Sequence, residues 1–181
     1  MKLFLVICTI FLVSGMVHGQ SPALQVHYKM EGNFALPDSA LTPGAFNPYC
    51  EANLNKEQYI VNGVEENICA SNFKTGPIRK SIKNFPKLKK TACDNYGLDK
   101  CDGSVEGDHF EPLELCGCPD CQTNIWPQPM KDARVKDHQI EDKLGGPKGL
   151  VCQGKISLKD AQSCIATDWV ACMKQISQLE K

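Results

Sequence analysis

The sequence predicts an α+β fold of short strands and helices, cross-linked by several disulfides. Three features predict it: an even set of cysteines downstream of a leader, a strand, strand, helix order over residues 105–144, and a C-terminal stretch with helical period. The chain has 181 residues and opens MKLFLVICTIFLVSGMVHGQ. One Lys precedes an apolar run from Leu3 to Val13, and small or uncharged residues follow to Gly19, the pattern of a secretory signal peptide over residues 1–19. A membrane anchor would need roughly 20 apolar residues, and no other stretch is apolar for long enough. The mature protein is expected to be secreted, extracellular and off the membrane, a monomer with a single domain over residues 41–181. Of the 11 cysteines, Cys8 lies in the leader, leaving ten between Cys50 and Cys172. In an oxidising compartment an even count implies up to five disulfides, and spacing alone leaves their pairing open.

Each element has its own signal. Residues 20–40 are rich in Pro, Ser, Ala and Gly without a sustained period and predict an extended lead-in with few functional groups, His27 among its exposed side chains. Tyr59 to Ala70 has apolar clusters around Asn62-Gly63, a hairpin-type turn, and predicts one or two short strands. A helix is expected to start after Pro86 and stop at Gly97. Val105 to Leu115 alternates in part, and a regular strand would send Asp108 and His109 to opposite faces. Pro112 makes that segment an edge strand or distorted ribbon. Cys116 to Thr123 forms a turn, Asn124-Ile125-Trp126 a return strand ended by Pro127 and Pro129, and Asp132 to Leu144 a helix stopped by Gly145-Gly146. Trp126, between Ile125 and Pro127, reads as core. Ser157 with Asp160 caps a last helix, in which Leu158, Ala161, Ile165, Trp169, Cys172, Met173 and Ile176 recur at helical spacing.

The formal net charge of −1 excludes bulk electrostatics as a source of polyanion binding. The run KTGPIRKSIKNFPKLKK, residues 74–90, is nevertheless basic with no acidic residue. Such runs usually form a solvated face, but Lys80, Lys83, Lys87, Lys89 and Lys90 are candidate phosphate contacts.

The residues with chemistry cluster around the predicted hairpin. Asp108 offers a hard oxygen to a divalent ion, Mg²⁺ first, with Mn²⁺ or Zn²⁺ as alternatives. His109 has the basicity to take a proton from water near neutral pH. Asn124 on the return strand would orient that His or complete the metal shell. On the following helix, His138, Glu141 and Asp142 fall near one face at helical spacing, with Asp137 and Glu141 sharing another.

The string around these residues gives them context. LTPGAFNP (41–48), ICASNF (68–73), YGL (96–98), DHFEPLELCG (108–117), NIWPQP (124–129), IEDKL (140–144), LVCQGKISLKDAQ (150–162) and IATDW (165–169) occur in order. Together they resemble a family of secreted, mostly bacterial, HNH-type nuclease-like proteins, over nearly all of the chain after residue 40. The resemblance implies a small ββα-metal (HNH-like) core and a metal-dependent endonuclease that hydrolyses DNA with little sequence preference, with RNA as the alternative substrate. It implies Asp108 as metal ligand, His109 as general base and Asn124 as the middle motif position. The family's helix often ends in Leu-His, whereas Leu144 here precedes Gly145, so His138 is taken as the displaced second metal ligand, with Asp137, Glu141 and Asp142 as alternatives. A second departure is Cys116, Cys118 and Cys121 in the turn; the oxidising compartment favours disulfides over zinc there. Cys69 and Cys152 fall within family motifs and are expected to pair. The alternative function is a catalytically inactive, cysteine-rich secreted binding or effector protein on the same scaffold.

Overall fold

The computed structural model describes residues 28–179, so the predicted leader and His27 lie outside the described residues. The architecture is mixed α+β. In chain order it has β1 (Lys29–Glu31), β2 (Phe34–Leu36), β3 (Cys50–Glu51), β4 (Glu66–Asn67), α1 (Thr75–Ser81), α2 (Phe85–Asn95), β5 (Val105–His109), β6 (Ile125–Pro129), α3 (Met130–Lys136), a π turn (Asp137–Glu141), α4 (Asp142–Leu144) and α5 (Leu158–Leu179). Each sheet is a two-stranded pair: β1–β2 antiparallel, β3–β4 parallel and β5–β6 antiparallel. Among the described residues no helix is long and apolar enough to cross a membrane.

Within the expected lead-in, residues 28–40 hold a hairpin. Gly32, at a positive φ of 60°, turns the chain so that β1 and β2 pair, and Ala35 is fastened on both sides of its peptide. Its N–H donates to Asp132 Oδ2 at 2.9 Å, and its carbonyl accepts from Trp169 Nε1 at 3.0 Å. No hairpin forms at Asn62-Gly63. Ile60 N–H donates to Glu65 O at 2.8 Å and closes a local loop, leaving only Glu66–Asn67 to pair, with Cys50–Glu51.

Helix α2 begins with Pro86 in its first turn and ends before Gly97, which takes a φ of 68° that an L side chain rarely adopts. Ser157 and Asp160 cap α5 reciprocally: Asp160 N–H donates to Ser157 Oγ at 3.0 Å, and Ser157 Oγ donates to Asp160 Oδ2 at 2.6 Å. The helix breaks at Asp168, whose φ and ψ are −168° and 101° and whose Oδ1 accepts from Val170 and Ala171 N–H at 2.9 and 3.0 Å. Asp168 therefore caps a second helical piece. The Cys164–Cys172 disulfide requires this break: its Cα atoms are 5.2 Å apart, whereas eight residues of straight helix span about 12 Å.

Five disulfides join all ten cysteines from Cys50 to Cys172: Cys50–Cys116, Cys69–Cys152, Cys93–Cys101, Cys118–Cys121 and Cys164–Cys172. The first two close loops of 66 and 83 residues, each worth about 4 kcal/mol in the chain-entropy account. The single core contains Trp126, Trp169, Tyr96, Leu113, Leu115, Ile140, Leu144 and Ile165, all fully buried.

Candidate active site

The β5–β6 hairpin sets the site. Phe110 N–H donates to Asn124 O at 2.8 Å, which makes Asp108–Trp126 and Glu106–Gln128 the hydrogen-bonded pairs and leaves Val105, Gly107 and His109 opposite Pro129, Pro127 and Ile125 as the non-bonded ones. Both prolines thus sit where no ladder donor is needed, and β6 runs through them instead of ending at Trp126. After His109 the strand bends, and Pro112 leads into a short 3₁₀ turn, Leu113–Leu115.

Asp108 and His109 do diverge. Asp108, 5% exposed, turns toward β6 and α3: its Oδ2 accepts from Trp126 Nε1 at 3.1 Å and from Lys136 Nζ at 2.8 Å. Lys136 has no exposed surface, and its ammonium also donates to His109 O at 2.8 Å and to Glu141 Oε1 at 2.6 Å. Burial alone would lower the ammonium's pKa, but the carboxylates of Asp108 and Glu141 outweigh it and hold it above the ordinary lysine value. Burial in turn pushes Glu141 up, against the pull of Lys136. Lys136 and Glu141 are five residues apart and share a face because the intervening turn is π, bonding i to i+5.

The resemblance made His138 the displaced second metal ligand, but the structure sets it away from Asp108. His138 is exposed and its Nδ1 lies 3.2 Å from Asp142 Oδ2 on the outer surface. The carboxylates of Asp108, Asp137 and Glu141 come within 4.8 Å of one another instead. Lys136 occupies Glu141 Oε1 and Asp108 Oδ2, so Glu141 is a counter-ion. The donors that fit a hard divalent ion are the second oxygen of Asp108 and the carboxylate of half-buried Asp137. Burial, and then repulsion from Asp108, raises the Asp137 pKa to about 6; a cation would relieve that repulsion. Cys118 and Cys121 are bonded to each other and Cys116 to Cys50, so their sulfurs are not thiolates for zinc.

His109 is 2% exposed, stacked against Phe85 with ring centroids 5.7 Å apart. Its Nε2 is 2.9 Å from Pro119 O. A carbonyl only accepts, so Nε2 carries the proton and Nδ1 presents a lone pair. Nδ1 has no partner among the described residues. Burial lowers the His109 pKa to about 4, keeping the ring neutral at neutral pH.

Asn124 neither touches His109 nor joins the acidic group. Its Nδ2 donates to Glu111 O and Cys118 O, both at 3.0 Å, and its Oδ1 accepts from Glu111 N–H at 2.9 Å and Ala45 N–H at 3.4 Å. It therefore fixes the loop that carries Pro119. Gly117 is needed there, since a Cβ would stand 1.8 Å from Glu111 O. The LTPGAFNP segment runs along the same loop through Cys118 N–H to Ala45 O and Asn47 N–H to Cys116 O, both 2.8 Å.

The basic run divides between α1 and α2. Lys80, Lys83 and Lys87 are exposed and form no ion pair among the described residues. Lys90 pairs on the surface with Asp94 at 2.7 Å. Lys89 is committed to the fold: its Nζ donates to Asp102 O at 3.1 Å and Val105 O at 2.7 Å, tying α2 to β5. Arg79, exposed on α1, adds its charge to that of Lys136 at His109, Glu106 and Asp137.

Glu111 is a further buried group that motif reading passed over. It is fully buried, neither carboxyl oxygen has a partner among the described residues, and burial raises its pKa to about 7 against the pull of Lys136. Between pH 4.5 and 7 the folded protein holds a proton that the unfolded chain releases, so stability falls as pH rises through this window. Glu111→Gln is expected to stabilise the protein by about 3 kcal/mol at pH 8 and hardly at all at pH 4. Urea unfolding at both pH values checks this; an equal shift at both would show that the carboxyl is not protonated in the fold.

Comparison with protein-family models, curated proteins and solved structures returned no match.

Proposed function

We propose that this chain is a secreted, HNH-type, metal-dependent endonuclease that hydrolyses the phosphodiester bonds of DNA and RNA with little sequence preference. The observation that carries the reading is His109: a neutral imidazole locked with its proton on Nε2 and an unpartnered Nδ1, next in sequence to Asp108. That is the protonation state a general base for water needs. Asp108 and Asp137 would hold a divalent ion, which when bound supplies charge neutralisation at the phosphoryl group. Asn124 keeps the Pro119 carbonyl in place and so keeps the His109 tautomer. Exposed Lys80, Lys83 and Lys87 supply sequence-independent attraction to a phosphate backbone. The leader and the five disulfides fit secretion.

A second reading, a binding protein on the same scaffold without turnover, is favoured by the burial of His109 and by Lys136 occupying one oxygen of Asp108. Oxidised protein incubated with plasmid DNA and single-stranded RNA, in Mg²⁺, Mn²⁺, Zn²⁺ or EDTA, separates the two. The nuclease cuts only with metal, and Asp137→Asn raises the metal concentration needed for half-maximal cutting at least tenfold. A binder shifts DNA mobility equally with and without EDTA and leaves its length unchanged.

A further inference from the structure

We propose that Lys136 is the positioning residue of the site, setting both Asp108 and His109 through one ammonium; this rests on the nuclease reading above. The ammonium has three protons and meets three acceptors: Asp108 Oδ2, His109 O and Glu141 Oε1, at 2.8, 2.8 and 2.6 Å. Two of them belong to consecutive residues at the end of β5, one through its side chain and one through its main chain. A single cation thus fixes the Asp108 carboxylate and the peptide from which the His109 ring departs.

The His109 carbonyl needs such a donor. His109 occupies a non-hydrogen-bonded position of the β5–β6 ladder, so its carbonyl points away from β6. Left alone in this buried place it would be an unpaired acceptor, which folded proteins rarely keep. Trp126 supplies the second donor to Asp108 Oδ2 but reaches nothing of His109. Glu141, brought round by the π turn, takes the third ammonium proton. If holding the fold were the only purpose, apolar residues of similar volume would serve as well, because desolvating a buried ion cluster offsets most of its attraction. What apolar packing does not supply is directional control of a carboxylate and a neighbouring peptide together.

The test compares wild type, Glu141→Gln and the double variant Lys136→Met/Glu141→Gln. The double variant removes one positive and one negative charge, so the buried cluster keeps its net charge and strands one carboxylate where Lys136→Met alone would strand two. Three quantities are read: thermal midpoint, kcat and KM on an oligonucleotide at saturating Mg²⁺, and the imidazole ¹⁵N signals of His109. Glu141→Gln, which leaves the bonds to Asp108 and His109 in place, is expected to keep kcat within threefold. The double variant should keep KM within threefold, lose about 100-fold in kcat, the size of loss that a misplacement near 1 Å can cause, and lose the single Nε2–H tautomer signature. A folded double variant with near wild-type kcat, a change confined to KM, or an equal loss in Glu141→Gln would each overturn the proposal. If wild type cuts no nucleic acid with any metal, the nuclease reading fails by itself; the ¹⁵N signals still decide, and an unchanged tautomer in the double variant overturns the positioning role.

Discussion

His109→Gln is expected to lower the rate of nucleic-acid cleavage by roughly 10²–10⁴-fold, the usual share of a general base, while the protein still folds and forms its disulfides. Glutamine separates the two jobs of this side chain: its amide N–H₂ reaches the position of Nε2 and donates to Pro119 O, but it has no basic nitrogen where Nδ1 stands. The stacking on Phe85 is lost, costing about 1 kcal/mol. Retained cleavage in a folded His109→Gln protein would remove His109 as the base. The variant also has a pH signature in stability. Burial lowers the folded pKa from 6.5 to about 4, so between those values the unfolded chain takes up a proton first, and stability is lost as pH falls through the window. Glu111 has the opposite slope between pH 4.5 and 7. These two contributions nearly offset each other from pH 4.5 to 6.5, while Asp137, raised to about 6, adds a slope of the same sign as Glu111. Denaturation of His109→Gln across that range should therefore show stability rising more steeply as pH falls than in wild type.

The parts of the site that were legible in the sequence are those set by local rules. Partial alternation and the cysteine-rich turn gave the hairpin, Gly97 ended α2, and Ser157 with Asp160 started α5. The divergence of Asp108 and His109 followed from strand geometry alone. What stayed hidden depended on register or on burial that composition argues against. A lysine is almost never fully buried without partners, and Lys136 stands in a stretch of alternating charges that reads as solvated helix; its three acceptors come from 27 or 28 residues upstream and from five residues on. The π turn carries no signal in an α-helical period, and His138, singled out by the resemblance and not by spacing, lies exposed beside Asp142. Pro127 and Pro129 looked like strand breakers because register decides whether a ladder position needs an N–H. The β1–β2 hairpin was missed for a similar reason: its strands are three residues each, too short for period, and its anchors, Asp132 and Trp169, are 97 and 134 residues away.

Asn124→Ala is expected to destabilise the fold by about 3–4 kcal/mol at pH 7, a large effect for one side chain. The amide is fully buried, and its removal strands Glu111 N–H, Glu111 O and Cys118 O together, with Ala45 N–H at the rim. Water cannot easily replace it, because the loop is closed over it by Gly117 and by the segment around Ala45. Asn124→Asp sharpens the test. It keeps an acceptor for Glu111 N–H but turns an oxygen toward two carbonyls and buries a charge, so it should be at least as harmful as alanine. The counter-argument is that the Cys118–Cys121 and Cys50–Cys116 disulfides already hold this loop. They fix its ends, however, and not the direction of the Cys118 and Pro119 carbonyls between them. Urea midpoints of the oxidised variants decide: a loss under 1 kcal/mol would mean that the disulfides suffice, whereas the larger loss, accompanied by mixed His109 tautomers in the folded fraction, would make Asn124 the residue through which the loop holds the base in its working state.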